Sequence, residues 1–237
     1  MQTQKFISGA ALAVAATALT AGVATAGPPA GVATHTTPAV HEVVPHPEHP
    51  LVPEPHEQRR ESGPEAHRGA TAHLTDPEKR SIKAYTTNGG YTELNNALRE
   101  GNPNPEQQAE IARIEAGLTK LPAFHGTVYR GIMLPPDSTA LADYAPGRIV
   151  TERAFTSTST VKANAESFSD IPPAGATGAG PRVVFEITSR NGRELPPELS
   201  AYRNEKEVLF APGTKFRVED KVPGTGGTDW IVRMVEL

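Results

Sequence analysis

The spacing of apolar positions changes several times along the chain, and each change predicts a different kind of element. Residues 6–23 form an alanine-rich apolar run without a charge. Between residues 27 and 73 no apolar period survives, because proline recurs too often for a helix or a buried strand. Helical spacing begins after Leu74. Thr75-Asp76-Pro77-Glu78 has the form of a capping box, with Thr75 as N-cap and Glu78 three residues on. That helix is expected to continue to Tyr85 and to break at Asn88-Gly89-Gly90. A second helix is predicted over residues 91–100, where Tyr91, Leu94 and Leu98 recur at helical spacing and Gly101 ends the run. A third opens at Asn104-Pro105-Glu106, a polar cap followed by proline in the first turn. Its stripe of Ile111, Ile114, Leu118 and Leu121 is the spacing of one buried face.

After Pro122 the texture switches to short β-branched and aromatic runs. These predict strands over residues 127–133, 148–151, 154–160, 183–188, 207–210, 215–218 and 230–235, with a small helix over 163–168. Residues 169–180 are rich in Gly, Pro and Ala and predict a loop. Helices first and many short strands afterwards argue an α+β domain with largely antiparallel sheets.

Composition narrows the picture. A chain of 237 residues holds one domain, with room for appendages. The formal net charge of -4 and the lack of a long basic stretch argue against a nucleic-acid partner. With no cysteine, neither disulfides nor thiolate chemistry are available. Residues 1–26 have the form of a signal peptide: Lys5 precedes the apolar run, and Ala24-Thr25-Ala26 supplies small residues for cleavage after Ala26. The expected mature protein is secreted and carries no stable membrane span. Residues 27–73 read as an extended, disordered Pro/His-rich linker holding seven of the eight histidines. Their irregular, proline-stiffened spacing does not make a metal site, so no metal is expected. Residues 74–237 are the expected globular domain.

Three polar constellations interrupt the strand pattern. Arg130 sits among apolar strand residues in Val128-Tyr129-Arg130-Gly131, where a buried guanidinium demands an anion. A phosphate clamp and a structural salt bridge both satisfy that demand. Phe155-Thr156-Ser157-Thr158-Ser159 alternates hydroxyls along a strand, either as ordinary β-formers or with Ser157 and Ser159 on one face fixing a carboxylate. Tyr202-Arg203-Asn204-Glu205-Lys206-Glu207 runs from a polar loop into the apolar strand Val208-Leu209-Phe210. In extended backbone Glu205 and Glu207 share a face and Lys206 points away, which suits a cation or a solvated edge.

In this order and separation, Arg130, Ser157-Thr158-Ser159 and Glu205-Lys206-Glu207 resemble the Arg, Ser-Thr-Ser, Glu-x-Glu pattern of mono-ADP-ribosyltransferases. These are the enzyme components of bacterial binary toxins, related exoenzymes and the arginine-specific vertebrate ecto-enzymes. The helical text from Tyr85-Thr86 through Gly90-Tyr91 and Leu94-Asn95 to Leu98-Arg99 is also similar to that family's. The likeness covers residues 74–237. It implies N-terminal helices packed on a core of two mostly antiparallel β-sheets, with NAD as co-substrate and no metal. The implied reaction cleaves the nicotinamide–ribose bond and transfers ADP-ribose to a protein, through a transition state related to glycoside hydrolysis.

The resemblance also assigns roles. Glu207 matches the catalytic glutamate that binds the ribose and stabilises its developing positive charge. Ser157 would orient Glu207, with Thr158 and Ser159 supporting the site. Arg130 would bind NAD phosphate and Gly131 would let the backbone approach nicotinamide. Tyr85, Asn95 and Arg99 would line the adenosine-phosphate side. Glu205 implies an arginine acceptor, since a second carboxylate attracts guanidinium and helps remove its proton. Tyr202 would pack on that guanidinium. Two departures stand out. The loop 169–180 lacks the family's phosphate-contacting arginine, for which Arg182 is the nearest candidate, and Gly89-Gly90 adds a residue to the helix break. Two other functions fit the residues: an NAD glycohydrolase with water as acceptor, and an inert surface binding module.

Overall fold

The computed structural model describes residues 71–173 and 176–237; the expected leader and almost all of the expected linker lie outside the described residues. Helix α1 (Asp76–Tyr85) starts as its sequence dictates: Thr75 Oγ1 accepts from Glu78 N, and Glu78 Oε2 accepts from Thr75 N at 2.7 Å. Helix α3 (Pro105–Thr119) repeats the device with Asn104 and Gln107.

The boundary between the first two helices differs from the expectation. Helix α2 (Asn88–Glu100) begins three residues earlier, capped by Thr87, whose Oγ1 accepts from Gly90 N. The glycine pair is therefore helical first turn, not a break. A Cβ on Gly90 would lie 2.1 Å from Ala84 O, so glycine is needed for the close approach of the two helices. Ile82, Ile114, Leu118 and Leu121 are almost wholly buried between the helices and the sheet. Burying each such side chain contributes roughly 1.5–3 kcal/mol, so packing rather than propensity holds these short helices.

The strands are β1 (Gly126–Met133), β2 (Ile149–Glu152), β3 (Thr156–Ser159), β4 (Arg182–Ser189), β5 (Arg193–Glu194), β6 (Glu207–Phe210), β7 (Thr214–Pro223) and β8 (Trp230–Glu236). Two-residue β5 escaped the sequence pattern, and β7 is longer than its apolar centre predicted. Hydrogen bonding runs in the order β2-β7-β8-β4-β1-β3-β6-β5, antiparallel except for the pair β4–β8. The expected two sheets are thus halves of one ladder. Between β1 and β3 the register contains a single residue pair, Tyr129 opposite Ser159, whereas β1 and β4 pair along their whole length.

Strand β6 is where the two halves and the helices meet. Val208 and Phe210 face the core of the long half with Val128, Phe185 and Phe216. Leu209, on the opposite face, joins Ile82, Ile114 and Phe155 beneath the helices. Strand alternation puts Glu207 on Leu209's side. Helix α4 (Lys162–Ser169) lies against β1, and a Cβ on Gly131 would come within 1.6 Å of Ala165 O. Packing of α4 alone accounts for glycine at that position.

Candidate active site

The seam between β1 and β3 opens into a cleft of about 1020 Å³, part of it open to solvent. All nine candidate residues line it: Tyr85, Asn95, Arg99, Arg130, Gly131, Ser157, Tyr202, Glu205 and Glu207. They come from α1, α2, β1, β3, β6 and the turn before β6, so the cleft exists only in the folded chain.

Glu207 opens β6 and is buried at 5% exposure. Ser159 lies opposite it in the β3–β6 register, which makes Ser157 its diagonal neighbour on the same face. Ser157 Oγ donates to Glu207 Oε1 at 2.7 Å. Thr158, on the other face, donates to Val208 O at 2.7 Å and ties the strands together. Glu205 reaches the cleft by a different route from the one expected. It lies not in extended backbone but in the 3-10 turn Arg203–Glu205, and Lys206 follows with φ +48. That left-handed residue re-aims the chain, leaving Lys206 exposed and both carboxyls lining the cleft.

Burial decides the state of these acids. It pushes the Glu207 carboxyl up to about 7, against the lowering effect of the Ser157 hydrogen bond. Burial, and then the charge of Glu207, pushes Glu205 up to about 8. In the unfolded chain both ionise near 4.5. Between those values the fold holds protons that the unfolded chain has released, so stability falls as pH rises from about 5 to 8. Glu207→Gln has no carboxyl to ionise and is expected to flatten this slope, raising the melting temperature near pH 8 by roughly 2–4 °C. Thermal melts of both proteins at several pH values check this. Parallel pH profiles would rule out the buried, raised carboxyl.

The opposite wall is cationic. Arg130 Nη1 donates to Ser157 O at 2.8 Å, stitching the seam where backbone pairing is sparse. No carboxylate among the described residues lies within salt-bridge distance of Arg130 or Arg99, so neither is neutralised. Burial and then the nearby charge of Arg130 lower the pKa of Arg99, the signature of two guanidinium groups sharing one wall. Asn95 is buried; its Nδ2 donates to Tyr85 Oη at 3.0 Å and to Phe155 O at 3.3 Å. Its Oδ1 has no partner among the described residues, which is costly for a buried carbonyl oxygen unless a ligand supplies a donor.

Residues 60–232 match the family model described as ADP-ribosyltransferase exoenzyme. The chain belongs to this family. It is 40% identical over 184 residues to Mav of Mycobacterium avium (strain 104), a protein assigned by name to the NAD(+)–arginine ADP-ribosyltransferases. It is 36% identical over 163 residues to the NAD(+)–protein-arginine ADP-ribosyltransferase Tre1 of Serratia proteamaculans (strain 568). These matches cover 77% and 68% of this chain but only 20% and 33% of the two relatives, which are far longer. Among solved structures, the ADP-ribosyltransferase Vis of Vibrio splendidus in complex with agmatine superposes with a TM-score of 0.58. There the identity is 27%, covering 76% of this chain and 88% of Vis. The exoenzyme fold is thus the α+β architecture expected from the sequence.

Within that fold, the cleft is also lined by residues to which the sequence assigned no site role: Thr86, Tyr91, Tyr129, Phe168, Ile171 and Pro173. Phe168 ends the predicted small helix, and an aromatic at the loop-proximal end of an element beside Ser-Thr-Ser was the available signal. Ile171 and Pro173 carry no recognisable pattern. Arg182, the nearest substitute for the missing loop arginine, does not line the cleft; its Nη1 lies 2.6 Å from Asp170 Oδ1.

Proposed function

We propose that this chain is an exported mono-ADP-ribosyltransferase that cleaves NAD at the nicotinamide–ribose bond and transfers ADP-ribose to arginine on a protein, acting as a toxin. The observation that carries the reading is the buried Glu207 carboxyl, held by Ser157 and lying in one cleft with Glu205. When the bond from the ribose anomeric carbon to nicotinamide breaks, positive charge develops on the ribose. An ionised carboxylate in a water-poor site stabilises that charge far more than it would in solvent. Ser157 fixes the carboxylate's rotamer, so no reorganisation is needed as the charge appears.

The remaining residues fit NAD. A diphosphate between Arg99 and Arg130 would relieve their mutual repulsion and use their free donors. Asn95 Oδ1 offers an acceptor for a ligand hydroxyl or amine, and Phe168 and Ile171 offer an apolar wall for the nicotinamide ring. Glu205 and Tyr202 favour a guanidinium over water as acceptor. A carboxyl pushed up to about 8 is a base matched to taking a proton from a substrate at physiological pH. Nicotinamide departs neutral with the bonding electrons, a guanidino nitrogen forms the new bond to the ribose, and the guanidinium proton passes to Glu205. The names of Mav and Tre1, and the agmatine bound by Vis, support arginine as the acceptor class.

Incubation with labelled NAD, with and without agmatine, tests the reading. Transfer of label to agmatine is expected, with slower nicotinamide release in its absence. Release at the same rate in both conditions, with no label transferred, would favour a glycohydrolase. No release in either would sink the enzymatic reading. Export rests separately on residues 1–26 and is checked by the mature N-terminus, expected at Gly27.

A further inference from the structure

The Glu205 carboxyl accepts no hydrogen bond from any described residue. Its position is therefore set by its backbone, and the backbone is held from outside the turn. Tyr202 gives no side-chain cap to the 3-10 turn Arg203–Glu205. Instead the carbonyl of Glu205 accepts from Ser159 Oγ at 2.6 Å and from Asn164 Nδ2 at 3.2 Å. Asn164 Nδ2 also lies 3.4 Å from Asn204 O and 3.2 Å from Ser159 Oγ. Thr160 N donates to Lys206 O at 3.1 Å, so both sides of the left-handed Lys206 are tied to the corner formed by the end of β3 and the start of α4.

We propose that Asn164 is a positioning residue for acceptor recognition: through the carbonyls of Asn204 and Glu205 it holds the turn that aims Glu205 at the incoming guanidinium. The proposal rests on the transferase reading above. Its physical basis is the shortage of alternatives. The Ser159 hydroxyl is fully used, donating to Glu205 O and accepting from Val161 N and Asn164 Nδ2. Removing the Asn164 amide leaves Asn204 O without this donor and Glu205 O with one donor in place of two. Asn164 is itself rigidly carried. It lies in the first turn of α4, and the same helix presses Ala165 O against Gly131 and contributes Phe168 to the cleft. One short helix thus lines the cleft at one end and clasps the acceptor turn at the other. Glu207, by contrast, is held by Ser157 and the β3–β6 ladder, and its carboxyl makes no hydrogen bond to Asn164.

This separation predicts which reaction suffers. Asn164→Asp keeps the side-chain size but removes both N–H donors; Asn164→Ala removes the donors without adding charge. In both variants, nicotinamide release from NAD without acceptor is expected to stay within about twofold of wild type in kcat and KM. The KM for agmatine should rise about tenfold, and the ratio of transfer to hydrolysis should fall by a similar factor. Melting temperatures, measured in parallel, show whether the Asp variant retains the fold if the Ala variant does not. Equal loss of hydrolysis and transfer in the folded variants, or unchanged transfer, would overturn the assignment. If the wild-type protein releases no nicotinamide with or without agmatine, the transferase reading fails and the assignment with it; wild-type transfer with indifferent variants removes the assignment alone.

Discussion

Glu207→Gln is expected to lose both reactions together, nicotinamide release into water and ADP-ribose transfer to agmatine, each by at least about 100- to 1000-fold. The substitution keeps the size and the Ser157 hydrogen-bond acceptor but removes the charge facing the ribose. Both reactions pass through the same cleavage of the nicotinamide bond, so neither can be spared. Because the native carboxyl is buried and its pKa pushed up to about 7, the variant should also be at least as stable as the wild type. Loss of activity without loss of stability is the informative combination. An active Glu207→Gln enzyme would remove Glu207 from the proposed chemistry, and an unfolded one would overturn the stability expectation drawn from the buried, raised carboxyl. The same residue predicts the pH profile: nicotinamide release should increase as pH rises through about 7, where the carboxyl ionises.

Glu205→Gln should divide the two reactions. Transfer to agmatine is expected to fall about 100-fold, the usual contribution of a positioned general base. Hydrolysis of NAD in the absence of acceptor should remain within about threefold, because Glu207, Ser157 and the arginine wall are untouched. A second expectation follows from the causes that raise the Glu205 pKa, burial first and the charge of Glu207 second. Glu207 ionises first, near 7, while Glu205 is still mostly neutral, so replacing Glu205 with neutral Gln should leave the pH dependence of residual hydrolysis close to that of the wild type. Nicotinamide release and agmatine labelling, measured on the same samples from pH 6 to pH 9, check both points. Equal loss of the two reactions would mean that Glu205 serves bond cleavage rather than the acceptor.

Two of the helix starts, several strands and nine residues of the cleft were legible in the chain. Thr75–Glu78 and Asn104–Gln107 cap their helices as written because capping is a contest among a few neighbouring atoms. The spacing of Ile111, Ile114 and Leu118 survives folding for the same reason, since periodicity is a property of one element. The helix boundary at Asn88-Gly89-Gly90 was misjudged because glycine has two uses. Here it admits Ala84 O to close contact instead of ending a helix. Gly131 repeats the point: glycine in a strand beside a candidate cleft is required by the backbone of α4. Arg182 satisfied the search for a missing cation by proximity in sequence, but Asp170 claims it in space.

What the sequence by itself determined is the inventory: an α+β order of elements, an arginine, a hydroxyl strand, two carboxylates and the residues of a helix, each carried by local pattern. The tertiary structure decided how they act on one another. Ser157 reaches Glu207 across 50 residues of chain because β3 and β6 are antiparallel neighbours in one register. Glu205 enters the cleft through a 3-10 turn and a left-handed Lys206 clasped by Ser159 and Asn164, where alternation along a strand was expected to bring it. The protonation of the two acids also belongs to this level. Desolvation depends on every element packed around the seam, and no stretch of the chain contains that information.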